Sequence, residues 1–232
     1  MLRWYHASRQ VAHASGTWQV SHNAHPSHVA LIARSIPMYD AKGIDQLVYY
    51  QKGVGTAACK VQQVLGASTG EGVNDNIGII SAFEVLIVIG CAYVYLCHNY
   101  SPGDEIYLFG FSRGAYTARA IAGLICEFGL LTKPGLEGFG KVYKRYVENT
   151  LDTATIKMLA EKYERIPNVP IKFIGVWDTV GSLGVPQIYL FGYRPRLWNW
   201  IIKRMQTFQL HRVELYPNVE FACHAYPPNQ MA

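Results

Sequence analysis

The chain has 232 residues, 50% of them hydrophobic, which is enough to bury one full core and sets the expectation of a single domain over 1–232. A net charge of +5 with only 16% charged residues carries no nucleic-acid motif, so the scattered Lys and Arg read as a solvated face and DNA and RNA partners are excluded. Five cysteines form no Cys-x-x-Cys pair, which argues against a disulfide framework or a structural zinc site and for a reducing compartment, here the cytoplasm.

In chain order, Met1–Gln19 lacks the apolar core of a signal peptide, and Met1–Ala14 shows no strand pattern. Ser27–Ile36 has helical spacing with Ser27 as N-cap, and Pro37 ends it. Gln46–Tyr50 reads as a short strand followed by a Gly-rich turn. Gly66–Gly78 reads as loop, and without Gly-Lys-Ser/Thr it is no phosphate cradle. Ile77–Cys97 is almost wholly apolar, with Glu84 its only charge. The expectation is a buried helix. A membrane-inserted helix, or a segment (77–92) inserted into the fold, are the alternatives.

Glu105–Phe111 is a β-prone run that ends in Gly110-Phe111-Ser112-Arg113-Gly114, and Ala115–Leu124 then reads as helix. Gly-x-Ser-x-Gly between a strand and a helix is the context in which a tight turn presents a serine nucleophile. Gly110 and Gly114 let strand and helix backbones approach. Ser112 would sit beside the helix N-terminus, whose unpaired N–H groups favour developing negative charge. Lys133-Pro134-Gly135 is a turn, and Phe139–Asn149 and Asp152–Tyr163 are polar helices closed by Pro167 and Pro170. Ile171–Trp177 is a strong strand that runs into Asp178. Tyr189–Arg212 is aromatic and basic, with partly helical spacing, and Val219–Cys223 is a last strand with His224 after it. Alternating strands and helices give an α/β fold: a mainly parallel central sheet flanked by helices, with ligands at the carboxyl ends of the strands.

A serine hydroxyl needs a base to take its proton and an acid to hold that base. Ser112, Asp178 and His224 follow one another in the chain order of α/β hydrolases. Of the eight histidines, His98 and those before residue 30 precede the turn, so His211 is the competitor to His224. Taken singly, Asp178 reads equally well as a turn cap and His224 as a surface residue. The oxyanion hole would use the N–H of Arg113 and one from an early loop, with Ser15-Gly16-Thr17-Trp18 as candidate and a plain turn as the alternative. No metal and no organic cofactor is implied.

The string Gly110-Phe-Ser-Arg-Gly-Ala-Tyr-Thr-Ala-Arg119 resembles the signature of an α/β-hydrolase-like family widespread in fungi and bacteria. That family includes the phospholipase effectors of bacterial type VI secretion. Trp18–Val29, Tyr50–Gly55, Pro102–Glu105, Gly175–Gly181 and Asn218–Ala225 are similar to further family segments. The resemblance implies Ser112 as nucleophile, Asp178 as orienting acid, His224 as base and a lipid or other carboxylic ester as substrate. Three departures stand beside it: Ser15 where the family carries aspartate, the extra apolar residues between Asn76 and Tyr93, and a chain that ends soon after the histidine. They imply a fold incomplete at both ends, and they keep open two other readings, an inactive binding or scaffold protein and a truncated product of a longer gene. Residues 189–212, with Trp198, Trp200 and Lys203, read as a lid or core helix, or as a patch for peripheral membrane contact.

Overall fold

A computed structural model describes residues 10–16, 28–52, 77–177 and 215–225, with backbone alone for 10–16, 52, 77–84 and 113. Its centre is a five-stranded sheet in which every neighbouring pair is parallel. The strands are β1 (Gln10–Gly16), β2 (Gln46–Lys52), β3 (Glu105–Phe111), β6 (Ile171–Trp177) and β7 (Val219–Ala225), in the spatial order β2, β1, β3, β6, β7. A two-stranded antiparallel pair, β4 (Leu130–Leu131) with β5 (Arg165–Ile166), stands apart from it. The helices are α1 (His28–Ser35), α2 (Ile77–Asn99), α3 (Arg113–Phe128), α4 (Phe139–Val147) and α5 (Thr153–Lys162). The chain steps one way across the sheet from β1 to β2 and the other way from β3 to β6. Right-handed crossovers therefore put α1 and α3 on opposite faces. The α/β-hydrolase-like expectation of a parallel sheet between helices is what the molecule has.

β3 shows how the sequence sets this up. Ile106, Leu108 and Gly110 alternate onto the buried face, while Tyr107, Phe109 and Phe111 are half-buried on the other. On α3, Ala115, Ala118 and Ala122 are buried, and such small side chains let the helix lie close on the sheet. The helix ends at Gly129, whose φ of 93° suits glycine, and a β-carbon there would lie 2.2 Å from the Ile166 carbonyl oxygen.

The apolar segment from Ile77 is one helix, and its described part belongs to the core. Val85, Ile89, Ala92, Tyr93 and Leu96 are all buried in the main hydrophobic cluster with Ile121, Leu124, Ile125 and Phe128 of α3. Among the described residues no helix is long and apolar enough to cross a membrane. Tyr93 also supplies a buried polar bridge. Its hydroxyl donates to the Gly129 carbonyl at 2.8 Å and accepts from the Leu131 N–H at 3.2 Å, tying α2 to the end of α3 and to β4. Burial pushes its phenol well above the ordinary tyrosine range, so it remains a neutral donor and acceptor.

Several boundaries differ from the sequence reading. Residues 10–14 are strand: β1 is an interior strand, between β2 and β3, although Gln10-Val-Ala-His-Ala carries few β-branched or aromatic residues. Two strong neighbours override that weak local preference. The loop expected through Gly78 gives way to helix at Ile77. Pro134–Gly138 forms a 3₁₀ turn that leads into α4, and α4 stops at Val147. β7 continues through His224 to Ala225, because pairing with β6 carries it to the end of that strand.

Replacing Tyr93 by Phe would leave the Gly129 carbonyl and the Leu131 N–H without their bridge at no cost in apolar packing. The expected loss is about 1–3 kcal/mol in urea unfolding, against a near-neutral outcome if the hydroxyl carried no structural role.

Candidate active site

All five parallel strands end in one row. Lys52, Gly16, Phe111, Trp177 and Ala225 are paired successively across the sheet, each the last residue of its strand. One step earlier, Gln51, Ser15, Gly110, Val176 and His224 form the row beneath. The first residue to leave this rim after β3 is Ser112.

Ser112 links β3 to α3 with φ 53° and ψ −118°, in the half of the backbone map that favours glycine. Holding a residue with a β-carbon there costs on the order of 1–3 kcal/mol, and such a conformation persists only where its surroundings over-determine it. Here they do. The Ser112 N–H donates to the Trp177 carbonyl at 2.9 Å, which extends the β3–β6 ladder one rung past the strand end. The Ser112 carbonyl accepts from Ala115 N–H at 3.0 Å and from Tyr116 N–H at 3.3 Å, which starts the helix. Behind it, a β-carbon on Gly110 would lie 2.2 Å from the Gly114 carbonyl oxygen and 2.5 Å from the Ala115 Cα. Glycine at 110 is therefore what lets the strand and the helix cross at this distance.

A serine at a helix N-cap ordinarily spends its hydroxyl on the first-turn N–H groups. Ser112 occupies that position and makes no such side-chain cap. Its hydroxyl is not engaged by its own helix, while the N-terminal end of α3 still favours negative charge beside it. Arg113 is the first residue of α3, so its N–H belongs to that terminus. Gly16 ends β1 and is paired directly with Phe111, on the side of β3 away from β6.

His224 lies in β7 opposite Val176, which is itself opposite Gly110. Paired residues share a face, so His224 belongs to the face on which Gly110 meets α3, and its side chain is exposed. Two strand spacings put its Cα roughly 10 Å from that of Gly110. Asp178 lies outside the described residues; it is the residue bonded to Trp177, whose carbonyl holds Ser112. His211, the competing base, and residues 189–212 also lie outside them. The structure thus brings Ser112, Gly110, Gly114, Arg113, Gly16 and His224 to one edge of the sheet. The sequence reading put His224 after a strand; it stands within one, a residue below the rim, because β7 keeps pairing with β6.

Burial pushes the Cys97 and Cys126 thiols up to about 12, so neither is a thiolate nucleophile near neutral pH. Among the described residues no group of three or more His, Cys, Asp or Glu could hold a metal ion. An apolar groove of about 340 Å³ between α2 and α4, lined by Leu86, Ile87, Val94, Phe139 and Tyr143 among others, includes none of the rim residues.

Residues 9–227 match the family model described as "T6SS, Phospholipase effector Tle1-like, catalytic domain". The chain belongs to this family. The match begins one residue before β1 and ends two after β7, so the Tle1-like catalytic domain takes in the whole described sheet, including the strand that local sequence did not reveal. The chain is also 36% identical over 161 residues to the uncharacterized protein YEL023C of Saccharomyces cerevisiae. That alignment covers 63% of this chain and 23% of the yeast protein, so the chain spans about a quarter of the length of the curated relative it matches. No solved structure matches it. Membership in a catalytic-domain family supports a hydrolase-type enzymatic role in general terms.

Two glycine substitutions separate the turn at Ser112 from ordinary helix. Gly110→Ala drives a β-carbon onto helix backbone that no side-chain rotation can relieve, so loss of folded protein or a cost above about 3 kcal/mol is expected. Gly140→Ala on α4 meets nothing within 4 Å and should be neutral or stabilise by up to about 1 kcal/mol. Chemical denaturation of both variants reads the contrast. Equal stabilities would contradict the close crossing.

Proposed function

We propose that this Tle1-like chain is a serine hydrolase that cleaves carboxylic esters, lipid esters foremost. The observation that carries the reading is Ser112 itself: a strained, uncapped serine at a strand-to-helix turn, on the rim where the strands end. In this mechanism His224 takes the proton from the Ser112 hydroxyl as its oxygen attacks the acyl carbon. Arg113 N–H and a donor from the segment at Gly16 receive the oxyanion. His224 returns the proton to the departing alcohol, and water then releases the acid by the same route in reverse. Asp178 accepts from the other ring nitrogen and holds the tautomer that the transfer needs. The lid assigned to 189–212, the inserted character of 77–92 and cytoplasmic residence with peripheral lipid contact are further parts of this proposal. The family's description as a phospholipase effector catalytic domain supports the lipid end of the reading.

A fluorophosphonate probe should label the wild-type protein, and Ser112→Ala should abolish labelling while leaving the fold intact. Turnover of p-nitrophenyl esters or phospholipids should fall by about 10⁴-fold or more in the same variant. A folded wild-type protein that neither labels nor turns over any ester of such a panel would overturn the proposal in favour of the inactive scaffold. On fractionation, the full chain should be recovered without detergent; strict detergent dependence would favour insertion of 77–97 into a membrane.

A further inference from the structure

Beyond the three residues assigned to the chemistry, a row of aromatic rings ends at the residue whose carbonyl holds the Ser112 backbone. On the sheet face away from Gly110 and α3, Phe109 of β3 leans across Gly175 of β6, its paired residue. Its ring centroid lies 5.5 Å from that of Phe173 and 6.4 Å from that of Trp177, nearly parallel to the latter at 28°. Gly175 is what makes room: a β-carbon there would lie 2.8 Å from Phe173 Cε1 and 3.1 Å from Phe109 Cδ1. The three rings therefore climb the sheet over a glycine slot and stop at its last row.

That last row is where the chemistry begins. The Trp177 carbonyl accepts the Ser112 N–H at 2.9 Å, and the nitrogen of the same peptide group belongs to Asp178. One peptide plane thus holds the backbone of the proposed nucleophile and carries the backbone of the proposed acid. It is the terminal rung of the β3–β6 ladder, and terminal rungs open most readily. Its supports come from both faces: Val176 is buried on the α3 side, and the Trp177 ring stacks on Phe109 on the other. Phe109 in turn lies on the strand that ends in Ser112.

From this we infer that Trp177 is a positioning residue for the serine reaction: clamped against Phe109, it fixes the peptide that sets Ser112 relative to Asp178. The inference rests on the hydrolase reading above. A misplacement of about 1 Å at a reacting group costs on the order of 10²-fold in rate. Losing the clamp should therefore slow chemistry without weakening the encounter with substrate.

Fluorophosphonate kinetics test this by splitting the limiting rate of labelling from the half-saturating probe concentration. Trp177→Ala should lower the limiting rate about 10- to 100-fold with half-saturation within about twofold of wild type, and Trp177→Phe should restore most of the rate. A merely structural role predicts something else: a smaller labelled fraction in step with lost folded protein, at an unchanged rate. If Trp177→Ala does not fold, Phe109→Leu removes the stacking partner while keeping Trp177 and should show the same slowing. Wild-type rates in the folded variants, or no recovery with Trp177→Phe, would overturn the positioning role while labelling of the parent protein upheld the hydrolase. A folded parent protein that does not label would overturn both.

Discussion

Everything at the rim depends on how closely α3 approaches β3. That approach is possible because residue 110 has no side chain, and it forces the connecting residue, Ser112, into a backbone conformation that side-chain-bearing residues seldom adopt. The strain is offset by ladder and helix hydrogen bonds on either side of the residue. Its product is an N-cap serine whose side chain makes no cap hydrogen bond to its helix. Substituting a larger residue at 110 or relaxing the turn would change the crossing and the Ser112 backbone together.

The remainder of the fold holds that junction in place. α2 fills the helical layer beside α3 with a long apolar surface, and the Tyr93 bridge ties it to the far end of α3. The Tyr146 hydroxyl donates to the Ala120 carbonyl at 2.7 Å, and Tyr216 donates to Glu127 at 2.8 Å, so α4 and the approach to β7 are pinned to the same helix. At the start of the sheet, Lys172 lies between Glu105 at 3.5 Å and Glu220 at 2.8 Å, linking β3, β6 and β7. These ion pairs are partly exposed and contribute modestly. They tie the starts of three of the five strands that finish in one row.

Much of this was legible in the sequence because local and long-range requirements agreed. Glu105–Phe111 alternates, its glycine falls where the helix must come close, and the residues after Ser112 are helix formers; strand, turn and helix all appear as read. α1 is marked by its helical spacing and by Pro37 after it, and β6 by its β-prone run and by Pro170 before it. β1 is not, because Gln10–Gly16 has one β-branched and no aromatic (Phe, Tyr or Trp) residue and is held as a strand by β2 and β3 rather than by its own preferences. The end of β7 differs for a related reason: His224-Ala225 has no strong strand signal, and only pairing with Val176 and Trp177 carries the ladder through it. The aromatic run over Gly175 was invisible, since nothing in a linear reading says that Phe109 crosses to a glycine on a strand far along the chain. The chain order Ser112, Asp178, His224 is a property of the sequence, whereas the meeting of the three side chains is a question of distance.

That distance is the most direct test. An experimental structure of the fluorophosphonate-treated protein should show the phosphonyl group on Ser112 Oγ, its oxygen facing the Arg113 N–H, and the His224 imidazole within about 3 Å of Ser112 Oγ with Asp178 on its far nitrogen. An adduct on another residue, or the imidazole of His211 in that place with His224 turned away, would contradict the account.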